Sequence, residues 1–323
     1  MKNVDLIIPV FNEEEVIDLF HAKLTAAIVS MPYVFTIWYI NDGSRDGTQA
    51  KLADIARGDT RVNVVELSRN FGHQAALTAG LDRVTADYVI SLDGDGQHPP
   101  ELIAELLKLA ESGYDIVQTE RLDADDISAF KRWTSAAFYR LINRIGSTQV
   151  TPGAADFRLL SRQVVEALRQ MPEYHRFLRG MVAWVGYKSI ILPYTPPPRM
   201  AGKSKYSLQK MVRLSMDAVF SFSLVPLYIG ISLGLLMLLL ALIEMIYVLS
   251  FWVTGNISHL APGWSSLMFI ILIVGGFLMI SIGVIGVYIG YIFQEVKGRP
   301  VYLERQPEAV TDNGKAAERE SRV

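Results

Sequence analysis

The chain has 323 residues, room for one large or two modest domains, and sets 31 Lys and Arg against 33 Asp and Glu. That balance leaves no field to draw nucleic acid, and the absence of cysteine removes disulfide frameworks, thiol nucleophiles and thiolate metal sites. The N-terminal Met1-Lys2-Asn3-Val4-Asp5 shows no secretory signal, and the positive mean hydropathy is concentrated toward the other end of the chain.

In chain order, Val4 to Val10 predicts a first strand, too uniformly apolar to have a solvated face. It closes on Phe11-Asn12-Glu13-Glu14-Glu15, after which Val16, Leu19, Phe20 and Leu24 fall at helical spacing. Phe35 to Ile40 predicts a second strand ending in Asn41-Asp42-Gly43-Ser44, with Asp46 and Thr48 placed to cap a helix. Val62 to Leu67 is a third, followed by Arg69-Asn70-Phe71-Gly72-His73 and a helix of small residues. Tyr88 to Leu92 is a fourth, Glu101 to Leu109 an amphipathic helix and Ile116 to Thr119 a fifth strand.

Strands alternating with helices predict an α/β fold, a doubly wound and mostly parallel sheet that binds ligands beyond the carboxyl ends of its strands. Four polar clusters fall at those ends: Asn12 and Glu13, Asp42, Asn70, then Asp93 and Asp95. In Asp93-Gly94-Asp95-Gly96-Gln97-His98 the glycines let the chain bend and bring two carboxylates together. Two hard anionic ligands with room for water suit Mg²⁺ or Mn²⁺, metals that come with phosphates. Standing alone, such a pair also reads as an acidic surface turn. Neither G-x-x-x-x-G-K-[ST] nor a G-x-G-x-x-G after the first strand is present, which disfavours a P-loop NTPase or a Rossmann dehydrogenase.

Phe220 to Val253 contains one charged residue, Glu244, and Trp264 to Phe293 contains none. Each exceeds the roughly 20 residues that cross a bilayer core. The short link from Thr254 to Gly263 has neither Lys nor Arg, whereas Lys203, Lys205, Lys210 and Arg213 precede the pair and Lys297, Arg299 and Arg305 follow it. The positive-inside bias predicts a hairpin with both ends in the cytoplasm. The predicted organisation is a cytosolic catalytic domain over 1–206, an amphipathic juxtamembrane helix over 207–222, two transmembrane helices within 223–295 (about 226–253 and 264–293), and a cytosolic tail over 296–323, disordered from about 306. On the juxtamembrane helix Leu208, Met211, Val212, Ser215, Met216 and Val219 share one face and Gln209, Lys210, Arg213 and Asp217 the other, which suits headgroup depth. Gly230-x-x-x-Gly234 and Gly286-x-x-x-Gly290 allow close helix packing and with it a homo-oligomer. Glu244 is costly in lipid, where a functional role competes with snorkelling or an interhelical hydrogen bond.

Five motifs in sequence order carry a resemblance: Ile8-Pro9-Val10-Phe11-Asn12-Glu13-Glu14, Asn41-Asp42-Gly43-Ser44, Ser68-Arg69-Asn70-Phe71-Gly72, Asp93-x-Asp95-x-Gln97 and Asp156-Phe157-Arg158-Leu159. Together they resemble the inverting glycosyltransferases of the A-type fold, family 2. With the C-terminal hairpin the chain is similar, over about residues 3 to 305, to the polyprenyl-phosphate branch that includes bactoprenol glucosyltransferases and dolichyl-phosphate mannose synthases. The resemblance implies a membrane enzyme, of a bacterial inner membrane, that moves one sugar from a nucleotide sugar, a UDP-sugar such as UDP-glucose, to undecaprenyl phosphate, with Mg²⁺ or Mn²⁺. It implies that Pro9, Phe11, Glu13 and Asp42 hold the base and ribose, and that Asp93, Asp95 and Gln97 form the metal and diphosphate site. Asp95 would be the most direct ligand, and Asp93 would serve the ribose or sugar as much as the ion. Asp156 matches the acidic residue beside the acceptor, usually called the catalytic base. Arg121, Lys131, Arg132 and Ser135 lie where the family grips the lipid phosphate, and Arg199 and Lys205 match a basic loop that meets the donor diphosphate. His73 stands where relatives often have Lys, and Gly94 where Ala or Val is common.

A phosphate monoester has its second pKa near 6, so at neutral pH the attacking oxygen is already ionised. Asp156 is therefore expected mainly to orient donor or acceptor, with base catalysis secondary; an ion pair with Arg158 is the structural alternative. His98, ahead of Pro99 and Pro100, reads as a turn-packing residue rather than a ligand. Two other functions compete. A processive polysaccharide synthase would carry Q-x-x-R-W, but Ala129 stands at the Gln position before Arg132-Trp133. A non-catalytic scaffold or lipid-linked-sugar flippase would have no use for the intact Asp93, Asp95 and Asp156. The sugar itself, whether glucose, mannose, N-acetylglucosamine or a modified arabinose, depends on pocket shape that spacing does not encode.

Overall fold

The computed structural model describes residues 1–122, 154–197, 225–254 and 263–305. Its first strands are the expected apolar runs: β1 (Asn3–Val10), β2 (Val34–Asn41), β3 (Val62–Glu66), β4 (Tyr88–Ser91) and β5 (Ile116–Arg121). Two more, β6 (Ala154–Ser161) and β7 (Ser189–Tyr194), complete one seven-stranded sheet in the order β3-β2-β1-β4-β6-β5-β7. β1, β2, β3 and β4 run parallel, as do β5 and β7, while β6 lies antiparallel between β4 and β5.

Helices cover both faces, which is why seven of the eight residues of β1 are buried. On one face Leu6, Ile8 and Val10 pack with Phe20 and Leu24 of α1 (Ile17–Ile28), Leu52 of α2 (Thr48–Gly58) and Leu106 and Leu107 of α4 (Ile103–Glu111). On the other, Ile7 and Val89 meet Leu77 and Leu81 of α3 (His73–Arg83), Val164 and Leu168 of α5 (Arg162–Arg169) and Met181 of α6 (Leu178–Trp184). α3 comes very close to the sheet: a Cβ on Gly80 would lie 2.3 Å from Ile7 Cγ2.

The chain winds from β1 outward to β3 and then returns to the other side of β1 for β4, so the strand order reverses between β1 and β4. Ligands of open α/β sheets bind at such a reversal. β4 pairs with β1 only as far as Ser91 opposite Ile7, so Ile8, Pro9 and Val10 run on past it and leave an opening where Pro9 is tolerated.

The apolar C-terminal stretches form α7 (Val225–Thr254) and α8 (Trp264–Val296), each long and apolar enough to cross a membrane. Their spans are not buried within the molecule and present Leu, Ile, Val and Met outward. Gly230 meets Ser281 across the pair, whereas Gly234, Gly286 and Gly290 have nothing within 4 Å. After α8 the chain folds back onto the sheet rather than trailing away. Ser68 N–H donates to Leu303 O and Arg305 N–H to Glu66 O, both at 2.8 Å, so this exit segment covers the edge of β3. Tyr302 Oη donates to Asp82 at 3.0 Å, and Glu304 and Arg305 pair with Arg83 and Glu66. The proposed juxtamembrane helix over 207–222 and the chain beyond 305 lie outside the described residues, and the side chain of Glu244 is likewise not described.

Two glycine substitutions test this packing, because helix propensity alone favours Ala at both by up to about 1 kcal/mol. Gly58→Ala, with nothing within 4 Å, should raise the unfolding midpoint slightly. Gly80→Ala should lower stability by about 1–3 kcal/mol through overpacking against Ile7, measured by thermal or denaturant unfolding of the purified chain.

Candidate active site

Three loops at the carboxyl edge of the sheet are tied to one another. Asn12 adopts a left-handed backbone with φ 54°, which Asn tolerates better than most residues. Its N–H donates to Ser44 Oγ and its Oδ1 accepts from the Arg45 N–H, both at 2.9 Å. Glu13 N–H donates to Thr48 Oγ1 at 2.9 Å and Gly47 N–H to Glu14 Oε2 at 2.8 Å, which joins the β1–α1 loop to the β2–α2 loop. Gly43, at φ 64°, lies against the backbone of Arg69, where a Cβ would come within 2.4 Å of the carbonyl carbon. The buried carboxylate of Asp42 accepts the N–H groups of Phe71 at 2.7 Å and Gly72 at 2.9 Å. Burial pushes the Asp42 pKa up, and these two donors offset only part of that. Both oxygens of Asp42 thus lock the β3–α3 loop in place.

The turn after β4 faces these loops. Its Gly94 sits against the end of β1, where a Cβ would be 3.1 Å from Val10 Cγ1. Gly96 has φ 79°, and the Gln97 N–H donates to Asp95 Oδ1 at 3.0 Å. His98 is buried, stacks on Phe157 with ring centres 5.2 Å apart, and accepts the Asp93 N–H on Nδ1 at 2.8 Å. That nitrogen carries no proton, so His98 braces the turn. Arg121 at the end of β5 reaches Gln97 Oε1 at 3.5 Å, placing the expected lipid-phosphate arginine beside the expected metal turn.

Behind the turn lies a cluster of buried charge. Asp156 and Arg158 alternate with Phe157 on β6 and share one face of the strand. Asp156 is 6% exposed and Arg158 2%. Asp156 Oδ1 accepts from Arg158 Nη2 and from Arg179 Nε at 3.1 Å. Oδ2 accepts from Arg179 Nη2 at 2.8 Å and has His73 Nε2 at 3.4 Å. His73, the first residue of α3, also lies 3.6 Å from Asp93 Oδ1 and so spans the two carboxylates. Burial works against its charge, but Asp93 and Asp156 more than reverse this and lift its pKa to about 9. Burial alone would raise the Asp156 pKa; Arg179, His73 and Arg158 instead hold it well below the usual carboxylate range. A carboxylate has about four lone-pair positions; three here take hydrogen bonds from Arg158 and Arg179, and the His73 ring stands beside Oδ2 as a further cation. Asp156 is a poor proton acceptor in this arrangement and a strong anchor for cations. Among the described residues, Arg158 Nη1 is buried without a hydrogen-bond partner.

Among the described residues no three His, Asp or Glu side chains converge into a metal cage. Asp93 and Asp95 are hard oxygen donors one residue apart on this turn, with the Gln97 N–H bonded to Asp95, a donor set of the kind Mg²⁺ and Mn²⁺ complete with oxygens of phosphate and water. Pro9, Phe11, Glu13 and Asp42 stand at the ends of β1 and β2 on the same edge of the sheet. Lys131, Arg132, Ser135, Arg199 and Lys205 lie outside the described residues. Sequence reasoning missed Arg179. The available signal was a cation on a short helix whose neighbours Leu178, Met181 and Val182 are all core residues.

Residues 5–169 match the model of glycosyl transferase family 2. A glycosyltransferase of Synechocystis, described as uncharacterized, is 38% identical over 93% of this chain and 94% of its own length. The bactoprenol glucosyl transferase of Shigella phage SfX is also 38% identical, over 93% of this chain and 98% of its own. Among solved structures, glucosyl-3-phosphoglycerate synthase of Mycobacterium tuberculosis, in complex with Mn²⁺, uridine diphosphate and product, is similar at 17% identity and a TM-score of 0.44, over 68% of this chain and 78% of its own.

Asp156→Asn leaves the buried Arg158 without its counter-charge and should cost about 3 kcal/mol or more in denaturant unfolding. Arg179→Ala should cost less, because its side chain is 24% exposed and water can replace it. A depressed folded pKa contributes stability above the unfolded value near 3.9 and loses it as pH falls. The deficit of Asp156→Asn should therefore be flat between about pH 5 and 6.5 and shrink in stronger acid; it should shrink again as pH rises toward about 9, where His73 loses the proton that Asp156 helps it keep.

Proposed function

Because the chain belongs to glycosyl transferase family 2, we propose that it transfers a single sugar, with inversion, from a UDP-sugar to undecaprenyl phosphate at the cytoplasmic face of a membrane. The bactoprenol glucosyl transferases among its relatives favour glucose as that sugar. α7 and α8 suit a membrane hairpin, and the distribution of Lys and Arg favours a cytoplasmic catalytic domain with both termini on that side.

The observation that carries the reading is the carboxylate of Asp156 ringed by three cations, which take up most of its lone pairs. A sugar hydroxyl must lose its proton during attack and needs a base with a free lone pair. A phosphate monoester arrives ionised and needs cations instead, and this site offers His73, Arg158 and Arg179 around one carboxylate. The arrangement therefore favours a lipid phosphate over the hydroxyl acceptor of a processive polysaccharide synthase.

In this reading a phosphate oxygen attacks the anomeric carbon from the face opposite the diphosphate. The new C–O bond forms as the old one breaks, and UDP departs with the electron pair. A divalent ion at Asp93 and Asp95, with Gln97, would supply neutralising charge for that diphosphate. Asp42 and the loops it locks would seat the nucleoside alongside Pro9, Phe11 and Glu13. Arg121, with Lys131, Arg132 and Ser135, is assigned to the acceptor phosphate, and Arg199 and Lys205 to the donor diphosphate. Asp156 holds Arg158, Arg179 and His73 in register with the reacting centre, so that positive charge is preorganised where negative charge moves.

The purified chain, incubated with UDP-glucose and Mg²⁺ or Mn²⁺, should release UDP only when polyprenyl phosphate is added, and the lipid product should carry one sugar. Chelation should abolish release. Products with growing sugar chains, or equal release with a polyprenyl alcohol, would contradict the reading.

A further inference from the structure

Arg179 owes its position to something other than its own helix. α6 has seven residues and no side-chain cap, and helices that short are marginal in water. The segment leading into it is held at several points. Arg176 Nη2 donates to Leu168 O at 2.6 Å and Met171 O at 2.7 Å, closing the end of α5. Gln74 Oε1, one residue past His73, accepts the Leu178 N–H at 3.1 Å. Between these, the Tyr174 N–H donates to both carboxylate oxygens of Glu295, at 2.8 and 3.0 Å. The ring of His175 packs on Tyr291 with centres 4.5 Å apart, and Tyr291 lies one helical turn before Glu295.

Glu295 stands in the last turn of α8, where the helix dipole favours a cation and disfavours a carboxylate. A Glu in this position is unfavourable to the helix itself, and its observed partner is a backbone N–H five residues before Arg179. We propose that Glu295 is a positioning residue for the transfer reaction. By gripping the Tyr174 amide it fixes the start of α6 and sets Arg179 against Asp156, so the foot of the second membrane-type helix completes the charged cluster of the site. The bond joins the apolar hairpin to the catalytic sheet close to the cation that matters. The inference rests on the sugar-transfer reading above and extends it: the hairpin is part of the catalytic machinery as well as an anchor.

The test uses the full chain in lipid nanodiscs. Glu295→Ala should lower kcat about tenfold, within the range that small misplacements produce, with the donor KM changed less than about twofold. Glu295→Gln keeps an acceptor for the amide and should restore most of the rate. Arg305→Ala, which breaks the exit segment's ion pair with Glu66 on the sheet edge, should leave kcat at the wild-type value. In an Arg179→Ala background, Glu295→Ala should cost nothing further, because both act through one side chain. Effects that multiply in the double variant, an equal loss in Arg305→Ala, or an unchanged kcat in Glu295→Ala would each overturn the proposal. Hydrogen exchange over residues 172–180 judges it independently of turnover. Faster exchange in Glu295→Ala supports the link even if the wild type transfers no sugar, a result that would sink the transfer reading alone, and unchanged exchange overturns the link.

Discussion

The constraint on which this structure turns is a buried carboxylate shared among three cations. Asp156 cannot remain charged at 6% exposure unless Arg158, Arg179 and His73 reach it, and those residues sit on β6, α6 and α3. Removing water from charges costs several kcal/mol for each ion, so such a cluster persists only where the surrounding elements are held firmly. The fold supplies that hold. β6 is wedged antiparallel between β4 and β5, α3 is pressed onto β1 through Gly80, and the segment leading to α6 is pinned by Gln74 and Glu295.

In the proposed reaction the same cluster sets the chemistry. A carboxylate ringed by guanidinium and imidazolium groups is held far from protonation and offers little to an incoming hydroxyl proton. It is well suited to keep cations aimed at an anion. The turn after β4 supplies the opposite sign through Asp93 and Asp95, the pair proposed to hold a divalent ion against the donor diphosphate. His73 touches both halves, which makes it the link between the acidic turn and the cationic cluster.

Much of this was legible in the residues. β1 to β5 announce themselves as apolar runs ending in polar clusters, and the crevice follows from where those clusters fall along a parallel sheet. β6 carries a strand's alternation in Asp156-Phe157-Arg158-Leu159, but its two charged residues read as site residues at a solvated edge although both are buried. β7 was hidden because apolar Ile191 stands at an exposed position and Pro193 reads as a break, although Leu192 and Tyr194 alternate with them as buried residues. Asp156 could be named from its motif, and its pairing with Arg158 was weighed as a structural alternative. The pairing is present, and Arg179 and His73 join it. Arg179, 23 residues further on, has no local pattern that announces the contact, since tertiary contacts of α6 and of the segment before it bring it there. The exit segment also read as tail, because a few residues pairing with an edge strand leave no periodicity to detect.

The central claim is that the acceptor brings its own negative charge and Asp156 takes no proton from it. The most direct measurement is the pH dependence of kcat/KM with polyprenyl phosphate and with a polyprenyl difluoromethylphosphonate, whose second ionisation lies lower. The account predicts that the acidic limb moves down in pH with the acceptor. A limb that stays in place when the acceptor is changed would assign that ionisation to the protein, restore a proton-accepting role to an enzyme side chain, and contradict the account.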